Sequence, residues 1–310
     1  MRKWRWVASV SLSLIIAFFI IAAFIYTPEQ EDKNQNHPPA TEEAAETNQT
    51  DQEQNEPAED PQEEMDTEES ADTLSDGLRD VFTSVIESAR HFLVKDDIQI
   101  VAVGDSLTQG VGDSTENGGY VGILEETFNS NKEAETINIA NYGKRGNRTD
   151  QLLERLENEE ISNSLRSADL VLLTIGANDV MKVVENNFTS LNYQDFVQEQ
   201  EGYEERLHLI IQKVRALNQD APIYLLGLYN PFDKYFNNIP ELGQIMGDWN
   251  AISKQVINNY DNATFIPIRD LFEGSEEELL WEEDNFHPNE RGYKLMAERV
   301  LEYIREDIEQ

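Results

Sequence analysis

The chain has 310 residues, a formal net charge of −37, four histidines and no cysteine. Disulfides, thiolate metal sites, cysteine nucleophiles and lipid attachment through cysteine are therefore excluded. The acidic balance would repel phosphate backbones, so nucleic acid is not an expected partner.

The first element is a basic flank, Arg2-Lys3-Trp4-Arg5, followed by twenty uncharged, mostly aliphatic residues from Val7 to Tyr26. About 20 such residues cross a bilayer core as a helix. Trp4, Trp6 and Tyr26 mark its two edges, where aromatic rings favour the interface. The positive flank predicts an N-terminus in the cytoplasm and the rest of the chain outside it. A cleaved signal peptide is the competing reading, but its apolar region would be only ~7–15 residues long, and Ile21-Ala22-Ala23-Phe24 is a poor cleavage site. Residues 1–26 are thus read as a cytoplasmic flank and transmembrane signal anchor.

Residues 27–75 are rich in Glu, Asp, Gln, Asn, Thr and Pro, with Lys33 as their only Lys or Arg. Such a stretch cannot bury enough apolar surface to offset its chain entropy, which predicts a disordered acidic linker. It would hold a folded domain off the membrane, whether as a plain spacer or as a recruitment tail.

From Leu78 to Leu93 apolar residues recur at helical spacing, predicting an amphipathic lead-in helix. Five apolar runs bounded by turn residues then read as strands: Ile98–Val103, Thr136–Ala140, Leu170–Ile175, Ile223–Tyr229 and Thr264–Ile268. Continuous apolar runs suit strands covered on both faces. Between and after them, Tyr120–Phe128, Thr149–Leu156, Tyr203–Leu217, Gly247–Tyr260 and Asn289–Ile308 read as helices. Strand alternating with helix predicts one α/β domain over 76–310, a parallel sheet with helices on both faces.

In such sheets ligands bind beyond the carboxyl ends of the strands. Ser106 follows the first strand, within IQIVAVGDSLTQG at 98–110. Gly143 and Gly146 follow the second, in NYGKRGNRTD at 141–150, and Asn178 follows the third, in IGAND at 175–179. Asp284 and His287 lie in DNFHP at 284–288, before the last helix. All these groups are expected on one rim of the sheet.

The residue types suit nucleophilic acyl transfer. A serine hydroxyl needs a base to take its proton, which neutral His287 can do. Asp284 can fix the tautomer of that imidazole and stabilise the imidazolium. The oxyanion of a tetrahedral intermediate needs fixed donors, for which the backbone N–H groups of Ser106 and Gly146 and the Asn178 amide are candidates.

These blocks resemble the four sequence blocks of the SGNH (GDSL-type) esterase and acylhydrolase superfamily, in order, over roughly Ile98 to Val300. The resemblance implies a flavodoxin-like three-layer α/β/α fold with a five-stranded parallel sheet ordered 2-1-3-4-5. It implies Ser106 as nucleophile and first oxyanion donor, Gly146 and Asn178 as the other donors, His287 as base and Asp284 as its orienter. The activity implied is hydrolysis of acyl or acetyl esters of lipids or envelope carbohydrates, with no cofactor.

Blander roles are expected for several other residues. Asp105 and Asp179 should brace turns, His208 and His91 should be capping or core residues, and His37 lies in the linker. No two histidines have metal-ligand spacing, and Gly110-x-Gly112 lacks the Lys-Ser/Thr of a phosphate loop. Met181–Gly202 and Asn230–Met246 carry aromatic residues that either shape a pocket or merely cover the rim. Two other readings stay open: a non-catalytic envelope- or carbohydrate-binding module on the same fold, and a purely structural tether.

Overall fold

Alternate residues of each central strand feed opposite cores. Ile100 and Ala102, Leu172, and Tyr224 and Leu226 face one core, while Val101 and Val103, Val171 and Leu173, and Ile223 and Leu225 face the other. This two-sided burial is what the continuous apolar runs require, because successive side chains of a strand point to opposite faces.

The computed structural model describes residues 98–309 except 116, 130–136, 188, 233–239 and 275. The proposed anchor, the acidic linker and the lead-in helix lie outside the described residues. Among the described residues no helix is long and apolar enough to cross a membrane.

The elements run β1 (Gln99–Gly104), α1 (Ser106–Gln109), α2 (Gly119–Asn129), β2 (Asn138–Gly143), α3 (Thr149–Arg155), α4 (Glu159–Ser167), β3 (Leu170–Thr174) and α5 (Ala177–Asn186). They continue with α6 (Tyr193–Leu217), β4 (Ile223–Leu226), α7 (Pro240–Ile257), β5 (Ala263–Ile266), α8 (Arg269–Phe272), α9 (Glu276–Leu279) and α10 (Glu290–Glu309). The five strands are parallel in the order β2-β1-β3-β4-β5. Helices α2 and α10 cover one face through Tyr120, Leu124, Tyr293, Met296 and Val300. On the other face α6 and α7 dominate, with Leu207, Ile210, Ile211, Val214 and the fully buried Trp249. This is the expected three-layer fold.

Register aligns the strand ends. Gly104 is level with Gly143 on one side and with Thr174 on the other, and Thr174 is level with Leu226. The loops that follow β1, β2, β3 and β4 therefore leave the sheet at one level, as the predicted rim requires.

Several boundaries differ from the periodicity. β4 stops at Leu226 rather than Tyr229, because the Asn250 side chain captures the Leu228 backbone, accepting from its N–H at 2.7 Å and donating to its carbonyl at 2.7 Å. α6 begins ten residues before the expected Tyr203, at Tyr193. Asn192 caps it, with the Asp195 side chain accepting from the Asn192 N–H, a capping box that extends the helix toward its N-terminus. The stretch 181–202, read as either a pocket wall or a cover for the rim, is mostly helix: α5 runs through Asn186 and buries Val183 and Val184. The second half of 230–246 is likewise the start of α7.

Candidate active site

The serine turn is fixed from below. The Asp105 N–H donates to the Thr174 carbonyl at 3.1 Å, and Asp105 Oδ1 accepts from the Leu107 N–H at 3.0 Å and from Thr174 Oγ1 at 2.8 Å. Asp105 braces its turn, as expected. Its second oxygen, Oδ2, is buried with no hydrogen-bond partner among the described residues. Burial pushes this carboxyl up to about 7, against the pull of the Thr174 and Leu107 bonds. Ser106 opens α1 and is 5% exposed. Its carbonyl accepts from Gly110 and Val111, while its own N–H, at the first position of a helix, has no intrahelical acceptor.

The two glycines after β2 differ in kind. Gly143 donates its N–H to Asn141 Oδ1 at 2.8 Å, and a Cβ there would lie 2.1 Å from the Gln109 nitrogen. It is glycine because β2 and α1 approach closely. Gly146 has φ +77°, room around a Cβ, and an N–H with no acceptor among the described residues. It is glycine because of its backbone conformation. Of the two, only Gly146 has an amide to offer.

Asn178 lies in the first turn of α5, after Gly176. Its Nδ2 donates to the Asn147 carbonyl at 2.9 Å, so the amide is oriented and keeps one N–H in reserve. The neighbouring Asp179 is buried and accepts from the Thr149 N–H at 3.0 Å, from Thr149 Oγ1 at 2.5 Å and from Arg206 Nη2 at 3.2 Å. Arg206 also donates from Nε to Thr149 Oγ1 at 2.8 Å. Asp179 thus braces the junction of α3, α5 and α6 in the way anticipated. Arg206 and Thr149 carry no motif signal; only the structure assigns them.

Asp284 and His287 are paired. His287 Nδ1 lies 2.5 Å from Asp284 Oδ2, and Asp284 Oδ1 accepts from the N–H groups of Phe286 and His287 at 2.9 and 3.0 Å. Burial alone would raise the Asp284 carboxyl; the His287 hydrogen bond and charge and the two amides outweigh it, and the carboxyl lies below its ordinary value. Arg145 Nη2 approaches the same Oδ2 at 3.9 Å. Asn285 takes φ 51°, a left-handed conformation that asparagine tolerates.

Two contacts bring this loop against the serine turn. A Cβ on Gly112, just beyond α1, would lie 3.1 Å from the His287 Cβ and 2.5 Å from the Pro288 carbonyl oxygen. The Tyr293 hydroxyl donates to the Val111 carbonyl at 2.6 Å. From the segment after β4, the Tyr229 hydroxyl donates to the Phe286 carbonyl at 2.5 Å. Ser106 and His287 are not hydrogen-bonded to each other in this arrangement.

A shallow open groove is lined in part by Ser106. Its other walls are apolar: Leu107, Ala177, Val180, Met181, Leu228, Tyr229, Pro231, Phe232, Met246 and Phe286. Of the aromatic residues in the two stretches that could shape a pocket or cover the rim, Phe232 lines it. Phe196 instead packs edge-on to Trp249 in the core, and the Tyr193 hydroxyl donates to Asp248. Tyr235, Phe236 and Phe188 lie outside the described residues. Ala177, Val180 and Met181 of α5 form one side, and Leu228, Tyr229, Pro231 and Phe232, from the segment after β4, form another. Among the described residues no group of three or more His, Asp or Glu side chains could hold a metal ion.

Residues 102–295 match the GDSL-like Lipase/Acylhydrolase family. The chain is 38% identical over 222 residues to the uncharacterized protein YpmR of Bacillus subtilis, covering 71% of this chain and 87% of that one. It is 26% identical over 214 residues to the spore germination lipase LipC of Bacillus licheniformis, covering 66% and 94%. Among solved structures, the lipase Lip_vut3 from a goat rumen metagenome superposes with a TM-score of 0.58 at 26% identity, covering 66% of this chain and 95% of that one. The match spans the serine turn, the Gly146 turn, the Asn178 turn and the Asp284–His287 loop, and by it the chain belongs to the GDSL-like lipase/acylhydrolase family and is a carboxylic-ester hydrolase.

Proposed function

We propose that the enzyme hydrolyses acyl esters through a Ser106 acyl-enzyme, with His287 as general base and acid and Asp284 as its orienter. The reading rests on the 2.5 Å Asp284–His287 pair facing the turn that carries Ser106. A proton held on Nδ1 by Asp284 leaves Nε2 free to take the Ser106 proton. Ser106 Oγ bonds to the ester carbonyl carbon, and the oxyanion is received by the N–H groups of Ser106 and Gly146 and by Asn178 Nδ2. The carbon–oxygen bond to the alcohol then breaks, and the alcohol leaves with the proton from His287. Water, deprotonated by His287, releases the acid and restores the serine. The missing Ser106–His287 hydrogen bond does not count against this, because such bonds commonly tighten only when substrate binds.

The apolar groove beside Ser106 favours an acyl chain longer than acetyl, carried by a lipid or an envelope carbohydrate. p-Nitrophenyl esters of graded chain length test both parts. Hydrolysis should be lost in Ser106→Ala, and kcat/KM should rise from acetate toward medium chains. Met246→Trp, which fills the groove, should reverse that preference; a flat profile in both proteins would remove the groove from the account.

Val7–Tyr26 as an anchor and 27–75 as a tether would hold the catalytic domain outside the cytoplasmic membrane. Fractionation and protease accessibility of the full chain in cells test this placement. Release of the domain into the medium would favour the cleaved alternative.

A further inference from the structure

Asn147 and Arg155 make bonds that the reaction scheme above leaves without a purpose. Asn147 follows Gly146 and is 3% exposed. Its N–H donates to the Lys144 carbonyl at 3.1 Å, its carbonyl accepts Asn178 Nδ2 at 2.9 Å, and its Oδ1 accepts Arg155 Nη1 at 2.7 Å. One residue thereby joins the Gly146 turn, the start of α5 and the end of α3.

Arg155 completes the junction. Besides Asn147, its guanidinium donates from Nη2 to the Tyr142 carbonyl at 2.8 Å and from Nη1 to the Gly104 carbonyl at 3.4 Å. All three acceptors are uncharged oxygens. Gly104 stands two residues before Ser106, and Tyr142 and Asn147 flank the turn that holds Gly146. Burial lowers the guanidinium from its ordinary value, and none of these acceptors returns a charge. For packing alone, an apolar side chain would fill this position without that penalty.

We infer that Arg155 and Asn147 are positioning residues that preset the oxyanion hole. They act through the Gly146 N–H and Asn178 Nδ2 and touch no substrate. The Asn147 carbonyl can accept only from the amide nitrogen of Asn178, so it fixes which end of that side chain is offered as a donor. Arg155 locks the ends of β1 and β2 to the Asn147 side chain, so that the Ser106 and Gly146 amides keep their separation before substrate arrives. Donors placed in advance cost no reorganisation in the transition state. This inference rests on the proposed oxyanion role of Gly146 and Asn178.

The test compares Arg155→Met, Arg155→Lys, Asn147→Ala and Asn147→Asp with wild type, counting active sites by fluorophosphonate titration. Misplacing a catalytic group by ~1 Å can cost ~10² in rate, so kcat per site should fall about 100-fold in Arg155→Met and less in Arg155→Lys. Asn147→Ala should fall about tenfold or more, with KM unchanged within about twofold, as expected when only a transition-state interaction is lost. Asn147→Asp keeps an oxygen for Arg155 and should restore most of the rate. Affinity for an alkylboronic acid, which forms a tetrahedral adduct on the serine, should drop by the same factor as kcat/KM, and the midpoint of the pH–rate profile should stay in place.

The inference is overturned if kcat per site is unaltered in Arg155→Met and Asn147→Ala, if boronate affinity holds while kcat falls, or if Asn147→Asp is as impaired as Asn147→Ala. Should Arg155→Met fail to fold, the two Asn147 variants decide the matter. A wild-type enzyme that neither turns over esters nor takes the fluorophosphonate would refute the Ser106 reading and this inference with it. Wild-type activity that depends on Ser106, with unaffected variants, would refute the positioning role alone.

Discussion

The loop carrying Asp284 and His287 and the turns carrying Ser106, Gly146 and Asn178 are held in contrasting ways. The loop is closed on itself. Leu280 and Pro288 form an antiparallel bridge, Trp281 donates to the His287 carbonyl and Asn285 to the Trp281 carbonyl, and Asp284 caps the amides of Phe286 and His287. The serine side is assembled from three strand ends and held by side chains distant in sequence, among them Asp105 to Thr174, Arg155 to Gly104 and Arg206 to Asp179. A short motif can therefore specify its own histidine pair, whereas the donors need the whole sheet.

Substitutions can break this contrast. The largest effect belongs to the chemistry itself: Ser106→Ala or His287→Ala should lower kcat by roughly 10⁴–10⁶ with the thermal transition nearly unchanged. Asp284→Asn should cost about 10⁴ in kcat, by favouring the wrong tautomer, yet keep the loop, because an amide oxygen can still accept from Phe286 and His287. A protein that unfolds on this change would show the loop to be less self-sufficient than its bonds imply.

Asp105 probes the other half through pH. Its folded value of about 7 exceeds the 3.8 of an ordinary aspartate, so between those values the folded protein holds a proton that the unfolded chain has released. Its contribution to stability therefore falls as pH rises from about 4 to about 7 and is constant beyond. Asp105→Asn should remove that slope and raise stability above neutrality by an amount on the order of a few kcal/mol, measured by denaturant titration across pH. A variant with an unchanged slope would locate the pH dependence elsewhere. The smallest effect is expected at Gly146→Ala. There is room for the methyl group, so the loss of stability should reflect only the left-handed backbone, about 1–2 kcal/mol. Its effect on kcat should exceed its effect on KM.

The same contrast explains what could be read from the sequence. The central strands were legible because their runs are apolar on both faces, as in Ile100 to Val103. The five proposed site residues stand in short motifs, and the register of Gly104, Gly143 and Thr174 brings their loops to one rim. Arg155, Asn147 and Arg206 were not legible: each has partners between 8 and 57 residues away, which leaves no local pattern. The groove was legible in part: Met181, Pro231, Phe232 and Met246 line it from the two stretches singled out in the sequence, whereas Leu107, Ala177, Val180, Leu228 and Tyr229 come from outside them. Val180 is as buried as an ordinary core residue, and only the placement of α5 beside Ser106 makes it part of a wall. Residues 235 and 236, from the second of those stretches, lie outside the described residues.

The amides around the cleft have a consequence for hydrogen exchange. Those of Trp281, Asn285, Phe286 and His287 each have an acceptor inside the loop, so they should exchange slowly and together, as one cooperative unit. The amides of Ser106 and Gly146 have no acceptor among the described residues and should exchange freely in the resting enzyme. Trapping a tetrahedral adduct on the serine would give both an oxygen to bond, and their protection should then appear at once, leaving the loop amides as they were. Deuterium uptake could in this way follow the oxyanion hole as it fills, amide by amide, without any chromophore in the substrate.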